Sequence, residues 1–507
     1  MSSSNINGVF SLISAILHQF SLYPLFMMSN IVPFMVSYLY HLKKESSPDN
    51  KSSLSQNDGY FIHPIMELSM SICCFFGGMV EHYLGPRLVI LLGAFSIGLG
   101  DFLFIVSKSI ILDFFINIFF GIGFAIAMTA AVKNASKYFP NKRGLVNAVA
   151  GGFGGNLGSS FFNFVIKLFV SKGDYPNNDD KNMYKKSTAK NYKIFFFIHL
   201  GVVLGFGIIS ALLLVPYEET NKTSKSIESM NKKDENKEKD EKEEDNNNNN
   251  EENNEENNEN YKKGLKIILK NIRIYQLLII FLFTSFLQGF IFTVGFNYGT
   301  MDHGNKKSSI GGDEMSIIFT LTSLISSAMG PLFGIIYDKL GFKYTIIIID
   351  IISVINGCLI CLTVRIGVIF YGFSIILNGC LNGGAFSMIF PYVSKIYGFN
   401  YAGELYGFVV LSTGISTMMS ASIYYIISHF SDDENNNDGA YLAIFLTGAV
   451  LNILAIVLAF FEKNEPFSFV VNEDGKSNQK LLSSDIKTSI KENDFSEKEK
   501  EDEGKVY

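Results

Sequence analysis

Several polar side chains that could bind a solute or carry a proton stand inside long apolar stretches of the sequence. His18 and Gln19 are adjacent in the first stretch, and His63 and Glu67 are four residues apart in the second. A separation of four residues places two side chains on one face of a helix. A buried carboxyl group tends to be neutral, and a histidine changes its charge near neutral pH. We therefore predict that His18 and Glu67 form a proton-coupling pair.

Amide side chains recur in the later apolar stretches, at Asn117, Gln288, Asn378 and Asn382. A polar group inside hydrocarbon is costly, so each amide is a candidate for solute binding. Each could equally form a hydrogen bond that holds two helices together. The sequence leaves both roles open for every one of these amides.

The apolar stretches themselves predict twelve membrane-spanning helices. The chain has 507 residues, of which 48% are hydrophobic and 18% charged, and much of the charge lies in two segments, 217–263 and 462–507. A helix needs about 20 apolar residues to cross the hydrocarbon core. The first predicted span is long or broken, and its part from 31 to 41 could extend outside the membrane. We predict spans 1 to 12 at 8–38, 63–83, 87–107, 110–132, 144–170, 193–215, 273–297, 314–337, 343–364, 367–390, 404–428 and 439–461.

A short loop pattern occurs twice and indicates an internal duplication. The Ser-Lys pair at 136–137 recurs 258 residues later at 394–395. A duplicated helical bundle in a membrane is typical of transporters. We predict two pseudo-symmetric six-helix bundles at 1–216 and 264–461, with a disordered cytoplasmic linker at 217–263 and a disordered cytoplasmic tail at 462–507. The loop pattern itself consists of Gly78, Gly85 and Arg87, which recur 256 residues later as Gly334, Gly341 and Lys343.

Both copies of the loop pattern resemble the loop motif of the major facilitator superfamily. The second copy matches well through Asp338, whereas the first has His82 at the usual Asp position. Gly-Pro-Arg at 85–87, the run from Tyr138 to Leu145 and the glycine-rich run at 151–158 are similar to the monocarboxylate transporter and oxalate/formate antiporter branch. The resemblance implies an all-α fold of twelve helices. It also implies secondary active transport of a small organic solute, foremost a monocarboxylate such as lactate, pyruvate or formate, by symport or antiport.

The same resemblance implies which residues form the site. Spans 3 and 9 usually face lipid or neighbouring helices in this superfamily, which implies structural roles for Asp101 and Asp350. Spans 1, 4, 7 and 10 line a central cavity, so the implied substrate-binding residues are His18, Gln19, Asn117, Gln288, Asn378 and Asn382. The implied gating motif consists of Gly78, His82, Gly85, Arg87, Arg143, Gly334, Asp338, Gly341 and Lys343.

The two copies of the gating motif differ in their acidic group. A carboxylate at one helix end can accept hydrogen bonds from the N-terminal amides of a neighbouring helix, and we expect the cation after the glycine to pair with it. Asp338 suits this role, whereas His82 is a poorer acceptor. Glu81 could replace His82 only if the helix end rotates. We therefore predict that the gating contact of the second half is the stronger one.

The sequence departs from the branch in a way that leaves the solute open. Carboxylate transporters of this branch usually place Arg or Lys in span 8 or span 11, and neither span has one here. The solute could be a carboxylate held by protonated His18, a neutral or zwitterionic molecule such as an amino acid held by the amides, or a cation bound by Glu67. The resemblance places the monocarboxylate first. A nutrient sensor that binds its ligand without moving it is the alternative of another class.

Other functional classes have no support in the sequence. No nucleotide-binding loop, metal-ligand cluster or nucleophile arrangement is recognisable, so we predict no enzyme activity, no catalytic residue, no metal and no cofactor. The expected partners are the solute, the lipid bilayer and, in a coupled mechanism, protons. We expect no nucleic-acid partner and a monomeric protein.

The loop charges predict the orientation in the membrane. An even number of spans puts both termini on one side, and the Lys and Arg residues in the loops of that side predict that it is the cytoplasm. The expected location is the plasma membrane, with an organelle membrane as the alternative, because no address signal is legible in the sequence.

Overall fold

The computed structural model describes nine stretches of the chain, and almost all residues in them are helical. The predicted linker and tail lie almost wholly outside the described residues, as do parts of the loops after spans 5, 7 and 11. The described residues are 3–23, 28–46, 54, 56–171, 183–217, 261–300, 310–398, 401–430 and 438–462.

The first half contains six spans and one additional helix. Met28–Ser46 is separate from span 1 and is called the outer helix below. A 3-10 turn, Gln56–Gly59, precedes span 2, and a short helix, Lys186–Ala189, precedes span 6. Span 5 begins as Arg143–Asn147, widens into a π-helix, continues as an α-helix and ends as a second π-helix. The six spans are Ser3–Leu22, Ile62–Glu81, Tyr83–Val106, Ile110–Tyr138, the four consecutive segments of span 5 (143–171) and Tyr192–Leu213.

The second half repeats this plan. A short helix at 261–268 precedes span 7. The helix Gly312–Ile366 contains spans 8 and 9. Its N-terminus is capped by Glu314, whose carboxylate accepts a hydrogen bond from the Gly311 N–H (2.9 Å). Acidic residues in a first turn also face the positive end of the helix dipole. Spans 7, 10, 11 and 12 are Ile272–Thr300, Val368–Tyr397, Ala402–Phe430 and Asp438–Phe460.

Two glycines at equivalent positions turn the chain between consecutive spans. Gly85 has φ 74° and ψ 160°, and Gly341 has φ 76° and ψ 172°. A positive φ strains any residue that has a side chain, so glycine is required at both turns. The matching backbone confirms that the loop pattern is a structural repeat.

The motif cations donate hydrogen bonds to helix ends, a contact that the sequence did not suggest. Arg87 Nε donates to the Leu214 carbonyl (2.9 Å) at the end of span 6, and Lys343 Nζ donates to the Phe460 carbonyl (2.6 Å) at the end of span 12. The last carbonyls of a helix lack partners within the helix and attract cations. Each motif cation therefore secures the sixth span of its own half.

Two seams of small residues join the halves. In the seam of spans 2 and 11, a Cβ atom on Gly407 would lie 2.4 Å from the Cys74 carbonyl carbon. In the seam of spans 5 and 8, a Cβ atom on Gly152 would lie 3.4 Å from Gly330 Cα. Small residues let helix backbones approach this closely. The two seams enclose a space between the halves.

The two faces of the molecule are distinguished by the ends of the spans. Span 1 begins beside the end of span 6, where Ser11 Oγ lies 3.1 Å from the Val215 carbonyl oxygen. Span 7 begins beside the end of span 12, where Arg273 Nε lies 2.7 Å from Glu462 Oε1. This face is the inner face, and the opposite one, which carries the outer helix, is the outer face.

Candidate functional site

A cavity of about 100 Å³ lies between the two halves. It has room for roughly seven to ten water molecules if each takes about 10–15 Å³. Its polar wall comes from spans 1, 2, 4, 5, 7, 8, 10 and 11. The amides are Gln19, Asn147, Asn156 and Asn382, the hydroxyl groups include Thr129, Ser285, Ser323, Ser326, Thr413 and Thr417, and the titratable groups are Tyr23, His63, Glu67 and Tyr406.

The charge of this wall is unusual for a site that accepts anions. Glu67 is its carboxyl group, and His63 stands one turn before it on span 2. Among the described residues, no Lys or Arg side chain lines the cavity. An organic anion would therefore have to find its positive partner on a protonated group of the wall.

Several polar atoms of the wall have no hydrogen-bond partner within the protein. They are buried and belong to different spans. Buried polar atoms are normally hydrogen-bonded, so unpaired ones on a cavity wall are suited to a polar ligand. They include Gln19 Oε1, His63 Nε2, Glu67 Oε2 and Thr129 Oγ1.

Three of the residues predicted for substrate binding or proton coupling line this cavity. Gln19 is held by a hydrogen bond from Nε2 to the Met128 carbonyl (2.6 Å), which leaves Oε1 free. Asn382 faces the cavity from span 10. Glu67 faces it from span 2, and its carboxyl group is within hydrogen-bonding reach of Thr417 on span 11. Glu67 of the first half and Thr417 of the second half thus both face the cavity.

The other four predicted residues lie within the bundles and do not line the cavity. His18 is fully buried. Asn117 Nδ2 donates to the Asp113 carbonyl (2.8 Å) within span 4. Asn378 Nδ2 lies 3.4 Å from the Gln288 carbonyl, which ties span 10 to span 7. The side-chain amides of Asn117 and Asn378 thus form hydrogen bonds within or between helices, as expected for a structural role.

The cavity wall also contains polar residues to which the sequence assigned no role in substrate binding or proton coupling. Asn156 lies in the glycine-rich run of span 5, and Asn147 Nδ2 donates to the Ser387 carbonyl (3.1 Å) on span 10. His63 had one available signal, which is its spacing of four residues from Glu67. Asn147 and Asn156 carried no spacing signal in the sequence. The glycines around Asn156 indicated helix packing instead of solute binding.

On the inner face, Asp338 lies against the first turn of span 5. A Cβ atom on Gly144 would be 3.4 Å from Asp338 Oδ1, and the charge of Lys395 acts on the Asp338 carboxyl group. A carboxylate is stabilised beside the N-terminal amides of a helix. The structure thus places the Asp338 carboxyl group beside the start of span 5.

In the first half Glu81 forms the equivalent ionic contact. Glu81 Oε2 lies 3.4 Å from Lys133 Nζ, with both side chains at most 10% exposed. Glu404 approaches from span 11, where a Cβ atom on Gly78 would meet its Oε1 at 2.7 Å. The side chains of His82 and Arg143 lie outside the described residues.

Replacing Asp338 by Asn is expected to lower the transport rate more than replacing His82 by Ala. The change at Asp338 removes the charge that faces the span 5 helix start and Lys395, whereas the first half keeps its ionic contact through Glu81 and Lys133. The measurement is the initial rate of solute uptake into proteoliposomes at equal protein content. Equal rates for Asp338→Asn and His82→Ala would contradict this prediction.

A buried ionisable pair ties spans 1, 3 and 6 together away from the cavity. His199 Nδ1 lies 2.9 Å from both Asp101 carboxylate oxygens, and His199 Nε2 lies 3.1 Å from the Ser21 carbonyl oxygen. Both side chains of the pair are fully buried. Asp350 has a similar place in the second half, where Thr284 Oγ1 donates to Oδ1 (2.8 Å). The structural roles implied for Asp101 and Asp350 agree with these contacts.

Asp101→Ala is expected to lower the free energy of unfolding by about 1–3 kcal/mol, because it leaves His199 Nδ1 buried without a partner. The measurement is the thermal unfolding midpoint in detergent, followed with a dye that reacts with buried thiols such as Cys74 and Cys380. Glu45→Ala at an exposed outer ion pair is the control. An unchanged midpoint for Asp101→Ala would refute the structural role.

Comparison with solved structures shows the same fold in known transporters. The crystal structure of the nucleoside transporter NupG covers 90% of this chain and 100% of its own, with a TM-score of 0.55 and 12% identity. A mutant of NupG gives a TM-score of 0.57 with 11% identity, over 89% of this chain and 100% of its own. Identities this low establish the fold alone.

Sequence comparison establishes the family. No curated protein sequence matches the chain significantly. The model of the Major Facilitator Superfamily matches residues 22–421 and again residues 305–493. These matches cover more than half of the chain and include nearly all of the cavity wall, both seams and both copies of the loop pattern. The chain therefore belongs to the major facilitator superfamily and is a multi-pass integral membrane transporter with two bundles of six helices.

Proposed function

We propose that this transporter carries a small monocarboxylate together with a proton by alternating access. The resemblance of the loops and of span 5 to the monocarboxylate branch supports the solute class. The cavity wall supports the proton. His63 and Glu67 stand one turn apart on this wall, each with an unpartnered polar atom, and the described residues of the wall include no Lys or Arg. This observation carries the proposal.

The need for a proton follows from the energetics of charge in a cavity between helices. An unpaired carboxylate is strongly disfavoured in a low-dielectric site. An ionised Glu67 would also repel an anionic solute at close range. A single proton can meet this need on either group, because on Glu67 it removes the repulsion and on His63 it supplies a positive hydrogen-bond donor. The solute and its proton are then transported together with no net charge.

The size of the cavity agrees with a small solute. About 100 Å³ accommodates a molecule with few non-hydrogen atoms, such as lactate, pyruvate or formate. Gln19 Oε1 and Thr129 Oγ1 offer unpartnered atoms for a hydroxyl group of the solute. We propose Gln19, Asn382, Glu67 and His63 as the central contacts.

Alternating access would depend on the two seams between the halves and on the gating-motif contacts at the inner face. The two halves rock about the seams of spans 2 with 11 and 5 with 8, and the gating motif stabilises the arrangement closed at the inner face. Energy comes from a proton or solute gradient. We further propose a monomer with both termini in the cytoplasm, located in the plasma membrane, with the bundles bounded at 1–216 and 264–461.

A second candidate is an amino acid or another neutral or cationic amine. The observation that favours it is Glu67, because an ionised Glu67 would bind an ammonium group directly. The amides of the wall could then bind the remaining polar groups of the solute.

Uptake into proteoliposomes separates these candidates. Labelled lactate, pyruvate and formate are offered with and without an inward proton gradient, and unlabelled amino acids are added as competitors. Saturable uptake stimulated by the gradient supports the monocarboxylate. No uptake of the three acids, with uptake of a labelled amino acid, supports the second candidate. Binding of a ligand without flux would indicate a sensor.

A further inference from the structure

A second, smaller pocket lies beneath the outer helix and shares one residue with the central cavity. Its volume is about 10 Å³, which is room for about one water molecule. His63 lines both the pocket and the cavity. The pocket is formed by the outer helix, the Gln56–Gly59 turn, the start of span 2 and Thr293 of span 7, so its walls come from both halves.

The pocket has polar atoms of the kind that an ordered water needs. His63 Nδ1 lies 3.5 Å from Thr293 Oγ1, at the limit of a hydrogen bond, and His63 Nε2 has no partner within the protein. Pro33 in the outer helix has no N–H, so the Ser29 carbonyl lacks its usual partner one turn later. Ser29, Thr293 and His63 all line the pocket. A buried water typically makes two to four hydrogen bonds, which these groups can supply.

The pocket is too narrow for an organic solute. The Gln56–Gly59 turn packs closely on the outer helix, since a Cβ atom on Gly59 would meet Val32 Cγ1 at 2.6 Å and Val36 Cγ2 at 2.7 Å. Gln56 Nε2 also donates to Ser37 Oγ (2.9 Å) on the outer helix. These contacts hold the pocket at the size of one water molecule.

We propose that His63 takes protons from the outer face through this pocket and passes them to Glu67, so that protons and solute reach the cavity by different routes. The inference rests on the proposed proton coupling. A hydronium ion in the pocket gives its proton to Nδ1, the nitrogen beside Thr293, and remains there as water. Nε2 releases its own proton to the Glu67 carboxylate one turn further along span 2. The imidazole returns to its first tautomer when water molecules of the pocket and cavity carry the Nδ1 proton to Nε2.

The surroundings of His63 contain few competing titratable groups. Tyr60 is the other titratable side chain of the pocket wall, and Asp58 lies in the adjoining turn. The outer helix and span 7 contribute Ser29, Val32, Pro33 and Thr293 to this wall, none of which titrates in the physiological range. On the cavity side the titratable neighbours are Glu67, Tyr23 and Tyr406. At physiological pH, His63 and Glu67 are the groups of the two walls suited to exchange a proton.

The test compares two assays with labelled lactate in proteoliposomes. Exchange of lactate at equal pH reports whether the carrier works, and uptake under an inward proton gradient reports proton delivery. Because His63 also contacts the solute, His63→Gln is expected to slow exchange, and to reduce the gradient stimulation by about tenfold more than it reduces exchange. Thr293→Val, which removes the hydroxyl group from the pocket but keeps His63, is expected to lose part of the stimulation. His41→Gln is the matched control, because His41 Nε2 contacts the Tyr184 carbonyl outside the pocket (2.8 Å).

Each outcome separates the proton route from the proposed function. Full gradient stimulation in His63→Gln overturns the route and leaves the proposed function intact. Lactate uptake that the gradient does not stimulate in the wild type overturns proton coupling and the route together. If the wild type carries no lactate, the monocarboxylate proposal fails, and the route is tested by infrared spectroscopy of the Glu67 carboxyl band after external acidification. A slower rise of that band in His63→Gln supports the route, and an equal rise overturns it.

Discussion

Glu67→Gln is expected to abolish the stimulation of uptake by an inward proton gradient while exchange of solute at equal pH continues. Glutamine resembles the protonated form of Glu67 in size and charge, and it keeps a polar group within reach of Thr417. It cannot release or accept the transported proton. Loss of a group that transfers a proton typically lowers the rate of the dependent step by about a hundredfold or more.

The measurement is initial uptake of labelled lactate over a range of external pH. Wild-type uptake should rise as the external pH falls, because protonation is part of loading, and uptake by Glu67→Gln should be flat. Glu45→Gln is the control, since Glu45 is an exposed carboxylate that pairs with Lys186 on the outer face. If Glu67→Gln retained the full pH dependence, Glu67 would have no part in proton coupling.

Much of the fold could be predicted because its signals are local in the sequence. Twelve apolar stretches of sufficient length indicate twelve spans, and a glycine within a short polar break marks the turn between spans 2 and 3 and the turn between spans 8 and 9. The repeat could be predicted for the same reason, and Gly85 and Gly341 take nearly the same backbone conformation. The outer helix was harder to place, because its buried apolar residues pack on a turn instead of crossing the bilayer.

The rotation of each span about its axis could not be predicted. His18 and Gln19 are adjacent and thus point about 100° apart around span 1. Gln19 faces the cavity and His18 does not. Asn378 and Asn382 share a helix face, yet Asn382 lines the cavity and Asn378 is tied to Gln288 instead. The sequence contains no local signal for either distinction, because both depend on where the other half packs.

The partners of the motif charges also depended on distant parts of the chain. The sequence suggested that the cation after each glycine pairs with the acidic motif residue. In the structure the cation lies beside the end of the sixth span, whose unpaired carbonyls attract it. Likewise, Glu81 forms an ion pair with Lys133 near the end of span 4. Contacts between helix ends this far apart in the chain are set by the tertiary fold.

Gly407→Ala is expected to lower the transport rate by about tenfold, because it forces spans 2 and 11 apart. A Cβ atom on Gly407 would lie 2.4 Å from the Cys74 carbonyl carbon and 2.5 Å from the Phe75 nitrogen, both of which are backbone atoms. Overpacking of this kind costs about 1–3 kcal/mol, and about 1.4 kcal/mol changes an equilibrium tenfold. The closed seam between the halves should therefore be less populated.

Gly201→Ala on span 6 isolates this effect, because a Cβ atom there would meet nothing within 4 Å. Both substitutions gain the same helix propensity of about 1 kcal/mol, so the comparison reports packing. The second readout is the reaction of the buried Cys74 thiol with a membrane-permeant maleimide. Faster labelling of Cys74 together with slower uptake in Gly407→Ala would show that the seam of spans 2 and 11 must close during transport. Wild-type labelling and uptake would mean that the seam tolerates a wider separation and does not limit the exchange between the two arrangements.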